Sequence, residues 1–395
     1  MELIRLEFLL FLSSGMALWA PNSPAAIPVG NGAYPPAPAG EFVGDVTDVR
    51  VVDQYERHPG ASLVWEPYIA EWKPNHLIAA YGVGVPGKTD MGDIVASISI
   101  DGGATWGYPV TVFDHRERQG AIQFAYGNAI LYKAPDQNVA WCYAIRCPIG
   151  FYHSEDSQLA GAFSADGGRT WTPVEMAMDY MEPLVVVAGI YRLEEKGHVR
   201  YLCPAQRNTL ADDPKGEREE FILSSTSLLE WKLESYIPQP GPVFGHEGNL
   251  AAGDELGELK LVMRTALYNK LSQPADPPRA RSSVSRDGGR TWSPAKEEPD
   301  LYNSVSKAFF GRAADGTHLY IYSDGPAWSR KALRYKLQPP GGKWGAERTF
   351  FETGGHNSYP TLIEVAPGDF RAVWDSGTKE LHRTRILFGK FHVGS

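Results

Sequence analysis

The chain has 395 residues, 43% of them hydrophobic and 22% charged, and a formal net charge of −9. That apolar share can build sizeable cores and excludes a disordered or fibrous chain, and the acidic balance argues against a nucleic-acid partner, which wants a basic face. Forty-one glycines, 30 prolines, 19 tyrosines and 11 tryptophans, with no long Ala/Leu/Glu/Lys blocks, predict many short strands and turns rather than helix bundles.

Phe8 to Trp19 is apolar for 12 residues, too short to span a bilayer. It reads as the core of a signal peptide followed by the small residues Ser23-Pro24-Ala25, although Glu2 and Glu7 offset Arg5 in the flank. Residues 1–44 are therefore expected to be a leader plus a Pro/Gly/Ala-rich linker, and the protein to be secreted, with a cytoplasmic protein as the other reading. Three cysteines do not make a disulfide framework. Cys142 and Cys147 are near enough in sequence to pair across a loop, but buried free thiols are the expectation.

A repeat organises residues 45–395. Ser99-Ile-Asp101-Gly-Gly-Ala-Thr105-Trp106 recurs as Ser164-Ala-Asp166-Gly-Gly-Arg-Thr170-Trp171 and as Ser285-Arg-Asp287-Gly-Gly-Arg-Thr291-Trp292. Weaker copies end at Trp231 and Trp344, so a tryptophan marks roughly every 60 residues. In each copy Asp can accept backbone N–H bonds within a turn, the glycines supply positive φ, Thr opens the next strand and Trp anchors it. An apolar strand precedes each, as in Asp93 to Ile100. A unit of this length has room for four strands, one blade of a β-propeller. The spacing predicts an all-β, six-bladed β-propeller in one domain, closed by pairing Val46–Val52 with Phe388–Val393.

These repeats resemble the Asp-box turns of the sialidase-like superfamily, and the resemblance runs from about residue 45 to the end. The boxes imply the fold and are expected to be scaffold, because they also occur in propellers with other functions.

Ionisable residues at similar phases of the repeat are the candidates for chemistry: Asp90 before the first box, Glu247, Arg264, Arg330, Tyr359 and Asp375. The resemblance implies that Asp90 is the acid/base, Tyr359 the nucleophile and Glu247 the base that activates it. It further implies that Arg264 and Arg330 bind a substrate carboxylate and that Asp375 braces an arginine. The chemistry is coherent in itself. A phenol with an ordinary pKa near 10 needs a carboxylate to take its proton, and a neutral nucleophile suits an anomeric carbon that bears a carboxylate. Arginine grips that carboxylate bidentately. The family's first arginine is missing, since Trp65-Glu66-Pro67 stands where it belongs. A two-arginine site with Glu66 beside it favours a neutral sugar or a differently held uronic acid.

Trp65, Glu66, Arg207 and His246 are further substrate-binding candidates, and His115, Arg146 and His356 are less specific ones. Each has an ordinary structural reading: turn capping for Asp90, strand entry for Glu247, core packing for Tyr359. The expected activity is that of an exo-acting, retaining, sialidase-like glycoside hydrolase. A polysaccharide lyase acting next to a uronic acid, or a non-catalytic glycan- or protein-binding propeller, are the alternatives. No cofactor is required, Ca²⁺ is compatible with the loop carboxylates, and a monomer with a glycan partner is expected. Zinc spacings, P-loops, dinucleotide fingerprints and nucleophile elbows are absent from the sequence.

Overall fold

A computed structural model describes residues 41–394 apart from residue 89 and residues 150–156, 179–183, 209–217, 268–274, 304–305 and 326–329. The proposed signal peptide falls outside the described residues. Among those described, strands dominate, and the one helical element is a single 3₁₀ turn at Tyr55–Arg57.

Apart from a parallel pairing of Ala177–Met178 with Glu230–Tyr236, the strands form antiparallel meanders, the pattern of a β-propeller. One sheet contains Val243–Ala252, Leu259–Leu267, Arg279–Ser285 and Lys296–Tyr302 in order, and another Phe309–Arg312, His318–Ser323, Ala332–Gln338 and Arg348–Glu352. A third adds Thr47–Gln54 to Arg385–His392, Asp369–Ser376 and Asn357–Ala366, so the two ends of the chain close the ring as expected. A fourth is built on Leu184–Val187, His198–Asn208, Arg218–Ser225 and Glu230–Tyr236 with two short extra strands. The expectation of six separate blades is not met strand for strand. Alongside these four blades, the strands between Val64 and Val174 form one nine-stranded sheet. The fusion occurs where Gly92 pairs with Tyr126 and carries the ladder from one meander into the next.

The three strong repeats fold alike. Ser99 Oγ donates to Asp101 (2.8 Å) and accepts from the Gly103 N–H (2.8 Å), while Asp101 accepts from the Thr105 N–H (2.9 Å). The same bonds recur at Ser164–Thr170 and Ser285–Thr291. The weak copy keeps Ser225 and Trp231 but has no glycine, so Leu228 takes φ +67 in its place. Each turn also locks neighbouring meanders together. The second glycine lies against Phe388, Ile78 or Leu202 of the preceding unit, and Trp106 packs on Phe388 at 5.5 Å. Because Ser99 pairs with Leu77 and Trp65 with Gly82, this turn is at the opposite end of its meander from Glu66. Cys142, Cys147 and Cys203 are buried free thiols.

Candidate active site

The first strand of several units carries the same irregularity. The register slips between Trp65 and Tyr68, Gly127 and Ile130, His246 and Asn249, and Ser358 and Thr361. At each slip one residue adopts left-handed φ: Glu66 (+48°), Asn128 (+53°), Glu247 (+51°) and Tyr359 (+52°). A bulge of this kind re-aims one side chain without ending the strand. The loop residues Asp90 (+54°), Arg330 (+33°) and Arg383 (+57°) share the conformation. Non-glycine residues rarely adopt it, and such outliers gather where structure serves function.

The freed backbone groups are taken up by side chains. Asp375 accepts the Glu66 N–H at 3.3 Å, Glu220 accepts the Gly248 N–H at 2.8 Å, and Asn128 Oδ1 accepts the Val187 N–H at 2.7 Å. Two of the bulges are thus held by carboxylates from other sheets, and a third holds a neighbouring strand through the Asn128 side chain.

Tyr359 is the centre of the cluster. Arg264 Nη1 donates to its hydroxyl at 3.4 Å and pairs with Glu247 Oε2 at 3.0 Å. The guanidinium groups of Arg330 and Arg383 lie 5.0 and 5.1 Å from its ring centroid, and the Lys307 ammonium at 5.6 Å. Arg383 also pairs with Asp90 and, at 3.8 Å, with Asp375. The site therefore holds three arginines, which corrects the two-arginine expectation. The Trp65-Glu66-Pro67 triplet lacks an arginine, but Arg383, on the far side of the last hairpin, brings its charge to the same place. Asp375 lies beside this arginine, a partner that the sequence did not point to.

His246 links the cluster outward. Its Nε2 accepts from Arg264 Nε at 3.1 Å, so its Nδ1 carries the proton donated to Gln206 Oε1 at 3.0 Å. On the other side His356 Nε2 bonds Ser358 Oγ at 2.8 Å, and Ser358 donates to Asp375 at 2.5 Å.

Electrostatics separates the acids. Burial works to raise the Asp375 carboxyl, but His356, Arg383 and Ser358 together hold it below the usual carboxylate range. Glu66 has no such partners. Burial pushes its carboxyl up to about 7, with Lys307 and Arg383 opposing and Asp90 and Glu247 reinforcing. Glu220, fully buried, is pushed well above the usual range by desolvation, against the Gly248 N–H it accepts. Burial likewise lifts the Tyr359 phenol to about 12, with Glu247 and Glu66 adding and Arg330 and Arg264 opposing. Desolvation works against the charge of Arg264 and Arg383, but Glu247 and Asp90 respectively raise both.

Of the expected site residues, Asp90, Glu247, Tyr359, Arg264, Arg330, Glu66, Asp375 and His246 come together. Trp65 does not act as a substrate platform: it is fully buried, and its ring fills the space where a Cβ on Gly82 would lie, 2.4 Å away. Arg207 is engaged elsewhere, paired with Glu219 and 5.5 Å over the Tyr236 ring. Arg146 lies 3.5 Å over Phe124. His115 bonds Asp93 at 2.6 Å, and with Asp114 these form the one cluster of metal-ligand type among the described residues. Arg116 already neutralises Asp114 at 2.6 Å and an imidazole suits Ca²⁺ poorly, so the set does not fit that ion. Sequence reasoning missed Arg383, Lys307, Glu220 and Asn128. Only Arg383 had a signal, an acid at Asp375 whose arginine had to come from somewhere.

A family model described as a BNR repeat-like domain matches residues 75–372. The chain belongs to that family. No curated protein sequence matches it. Among solved structures it is similar to a protein of unknown function from Dyadobacter fermentans, with 14% identity and TM-score 0.65 over 89% of this chain and 99% of that one. It is similar to the NanB sialidase of Streptococcus pneumoniae, with 10% identity and TM-score 0.67 over 88% and 71%. It is also similar to an α-L-arabinofuranosidase of Fusarium graminearum, with 13% identity and TM-score 0.60 over 89% and 98%. At these identities the likeness establishes the fold alone, a β-propeller that this chain shares with that sialidase and that arabinofuranosidase. No helix among the described residues is long and apolar enough to cross a membrane.

Proposed function

We propose that this BNR-family protein is an exo-acting, retaining glycoside hydrolase that removes a terminal sugar bearing a carboxylate. The observation that carries the reading is the convergence of Arg264, Arg330 and Arg383 on Tyr359. Three guanidinium groups around one phenol match a planar anion held beside an anomeric carbon.

In this reading the Tyr359 oxygen attacks the anomeric carbon while Glu247 takes its proton, since a phenol lifted to about 12 does not ionise unaided. Asp90 protonates the departing glycosidic oxygen, and the sugar remains bonded to Tyr359. Asp90 then deprotonates a water that attacks the same carbon, and the phenol recovers its proton from Glu247. Before substrate enters, Arg383 neutralises Asp90. A substrate carboxylate in the clamp competes for that arginine, and Asp90 takes up from solvent, as the glycosidic oxygen comes against it, the proton that it delivers. The nine-stranded sheet is taken here as two repeats, placing six first strands about the axis. Residues 45–395 are then a monomeric catalytic domain behind an export leader.

The test is release of methylumbelliferone from N-acetylneuraminide, uronide and arabinofuranoside conjugates, with product anomer followed by NMR. Turnover of an acidic conjugate with retention is expected. Tyr359→Phe should lower kcat by roughly 10³-fold or more while leaving the fold intact. Wild-type turnover in Tyr359→Phe, or activity on neutral conjugates alone, overturns the reading.

A further inference from the structure

Glu66 is an acid at the centre for which the mechanism above has no use. It occupies the same left-handed bulge as Glu247 and Tyr359, with its N–H fixed on Asp375. Only 8% of it is exposed. Glu247 and Asp90 each have an arginine at ion-pair distance. Among the described residues Glu66 has, by contrast, the Asn128 amide at 3.4 Å. A buried carboxylate without a paired cation is costly, and a proton removes that cost.

The charges around it can be counted. Lys307 approaches from before Phe309–Arg312, Arg264 from Leu259–Leu267, Arg330 from before Ala332–Gln338 and Arg383 from before Arg385–His392. Against these four cations stand Glu247 on Val243–Ala252, Asp375 on Asp369–Ser376 and Asp90 before Gly92–Ser99. Tyr359 and Asn128 complete the surroundings as neutral groups. With Glu66 ionised the formal charges cancel. With Glu66 protonated the centre has one positive charge in excess, which is the complement of one carboxylate.

We infer that Glu66 is the specificity switch of this site: a ligand carboxylate enters the arginine clamp together with one proton, which binds to Glu66. The inference rests on the acidic-sugar reading and deepens it. The proton goes to the Glu66 carboxylate from solvent, no covalent bond to the ligand forms, and ligand plus proton leave the net charge of the centre unchanged. Binding raises the proton affinity of Glu66, so uptake is largest between the free value, about 7, and the higher bound value. Affinity for an anionic ligand falls up to tenfold per pH unit across that window, and affinity for a neutral sugar does not follow it.

The experiment is isothermal titration calorimetry of 2,3-didehydro-2-deoxy-N-acetylneuraminic acid into the full chain at pH 8, in two buffers of different ionisation enthalpy. The wild type should take up close to one proton per ligand and bind progressively more weakly from pH 7 to 8.5. Glu66→Gln, uncharged at every pH, should bind with no uptake and a flat pH dependence. Binding by the wild type without uptake, or uptake retained in Glu66→Gln, overturns the inference. If neither protein binds the probe while an acidic glycoside is turned over with retention, the inference falls and the hydrolase reading stands. If linked binding occurs but no sialoside or uronide is turned over, the hydrolase reading falls and the inference stands.

Discussion

Replacing Arg383 by methionine tests the assignment of the third arginine. The guanidinium faces Asp90, Asp375 and the Tyr359 ring, and the side chain is largely buried. Breaking a wholly buried pair costs about 3–5 kcal/mol. Here the figure must be reduced, because the Asp90 side chain is 25% exposed and water can solvate it once it is released. Asp375 is fully buried but retains Ser358, the Glu66 N–H and the His356 contact. The net expectation is a loss of about 2–3 kcal/mol, read by urea denaturation at pH 7. The acid limb gives a sharper signature. Asp375 is held below its ordinary range in the folded protein, so its contribution is present above the unfolded value and disappears as pH falls through the folded one. Without Arg383 the folded value rises and this contribution shrinks, and Arg383→Met should lose stability at a higher pH than the wild type. In the Asp375→Asn background that difference should vanish. Turnover of an acidic glycoside should fall on the order of 10²-fold or more. Wild-type stability with an unmoved acid limb would refute the bracing role.

Two further substitutions address the scaffold. Gly103→Ala combines φ +93 with a Cβ 2.1 Å from the Phe388 ring and should cost about 3 kcal/mol or more, whereas Gly60→Ala, at φ +81 with open space around it, should cost about 1 kcal/mol; thermal melts of the pair separate steric from backbone strain. Glu220→Gln still accepts the Gly248 N–H and removes a carboxyl whose charged form burial disfavours, so stability at pH 7 should fall by no more than about 1 kcal/mol, while Glu220→Leu orphans that N–H and should cost about 1–3 kcal/mol in the same urea titration.

The repeats were legible because their turn chemistry is local. Ser, Asp, two glycines and Thr within eight residues dictate the same bonds wherever they occur, and the strands before them follow from apolar runs. Merging of two meanders was not legible, since one pairing between Gly92 and Tyr126 has no sequence mark. The site shows the same division. Asp90, Glu247, Arg264, Arg330 and Tyr359, singled out by their order along the chain, lie in one cluster. Arg383 was missed because its role depends on where a hairpin returns, not on its neighbours in sequence. The triplet Trp65-Glu66-Pro67 was misleading at its first residue: Trp65 is core packing over Gly82, whereas Glu66 reaches the cluster.

The left-handed residues tie these observations together. Seven of the eleven non-glycine residues with positive φ among those described are Glu66, Asp90, Asn128, Glu247, Arg330, Tyr359 and Arg383. Each such conformation costs about 1–2 kcal/mol for an L-residue, so together they oppose folding by on the order of 10 kcal/mol, comparable to the whole stability of a domain. A fold tolerates that cost only where surrounding groups over-determine it. Those groups are visible here: Asp375 on the Glu66 N–H, Glu220 on the Gly248 N–H, and the hydrogen-bonded ladder that resumes at Tyr68, Asn249 and Thr361 on the far side of each bulge. At Glu66, Asn128, Glu247 and Tyr359 a regular ladder would avoid the left-handed cost altogether. The strain is therefore the means by which carboxylates and arginines are held around the Tyr359 phenol.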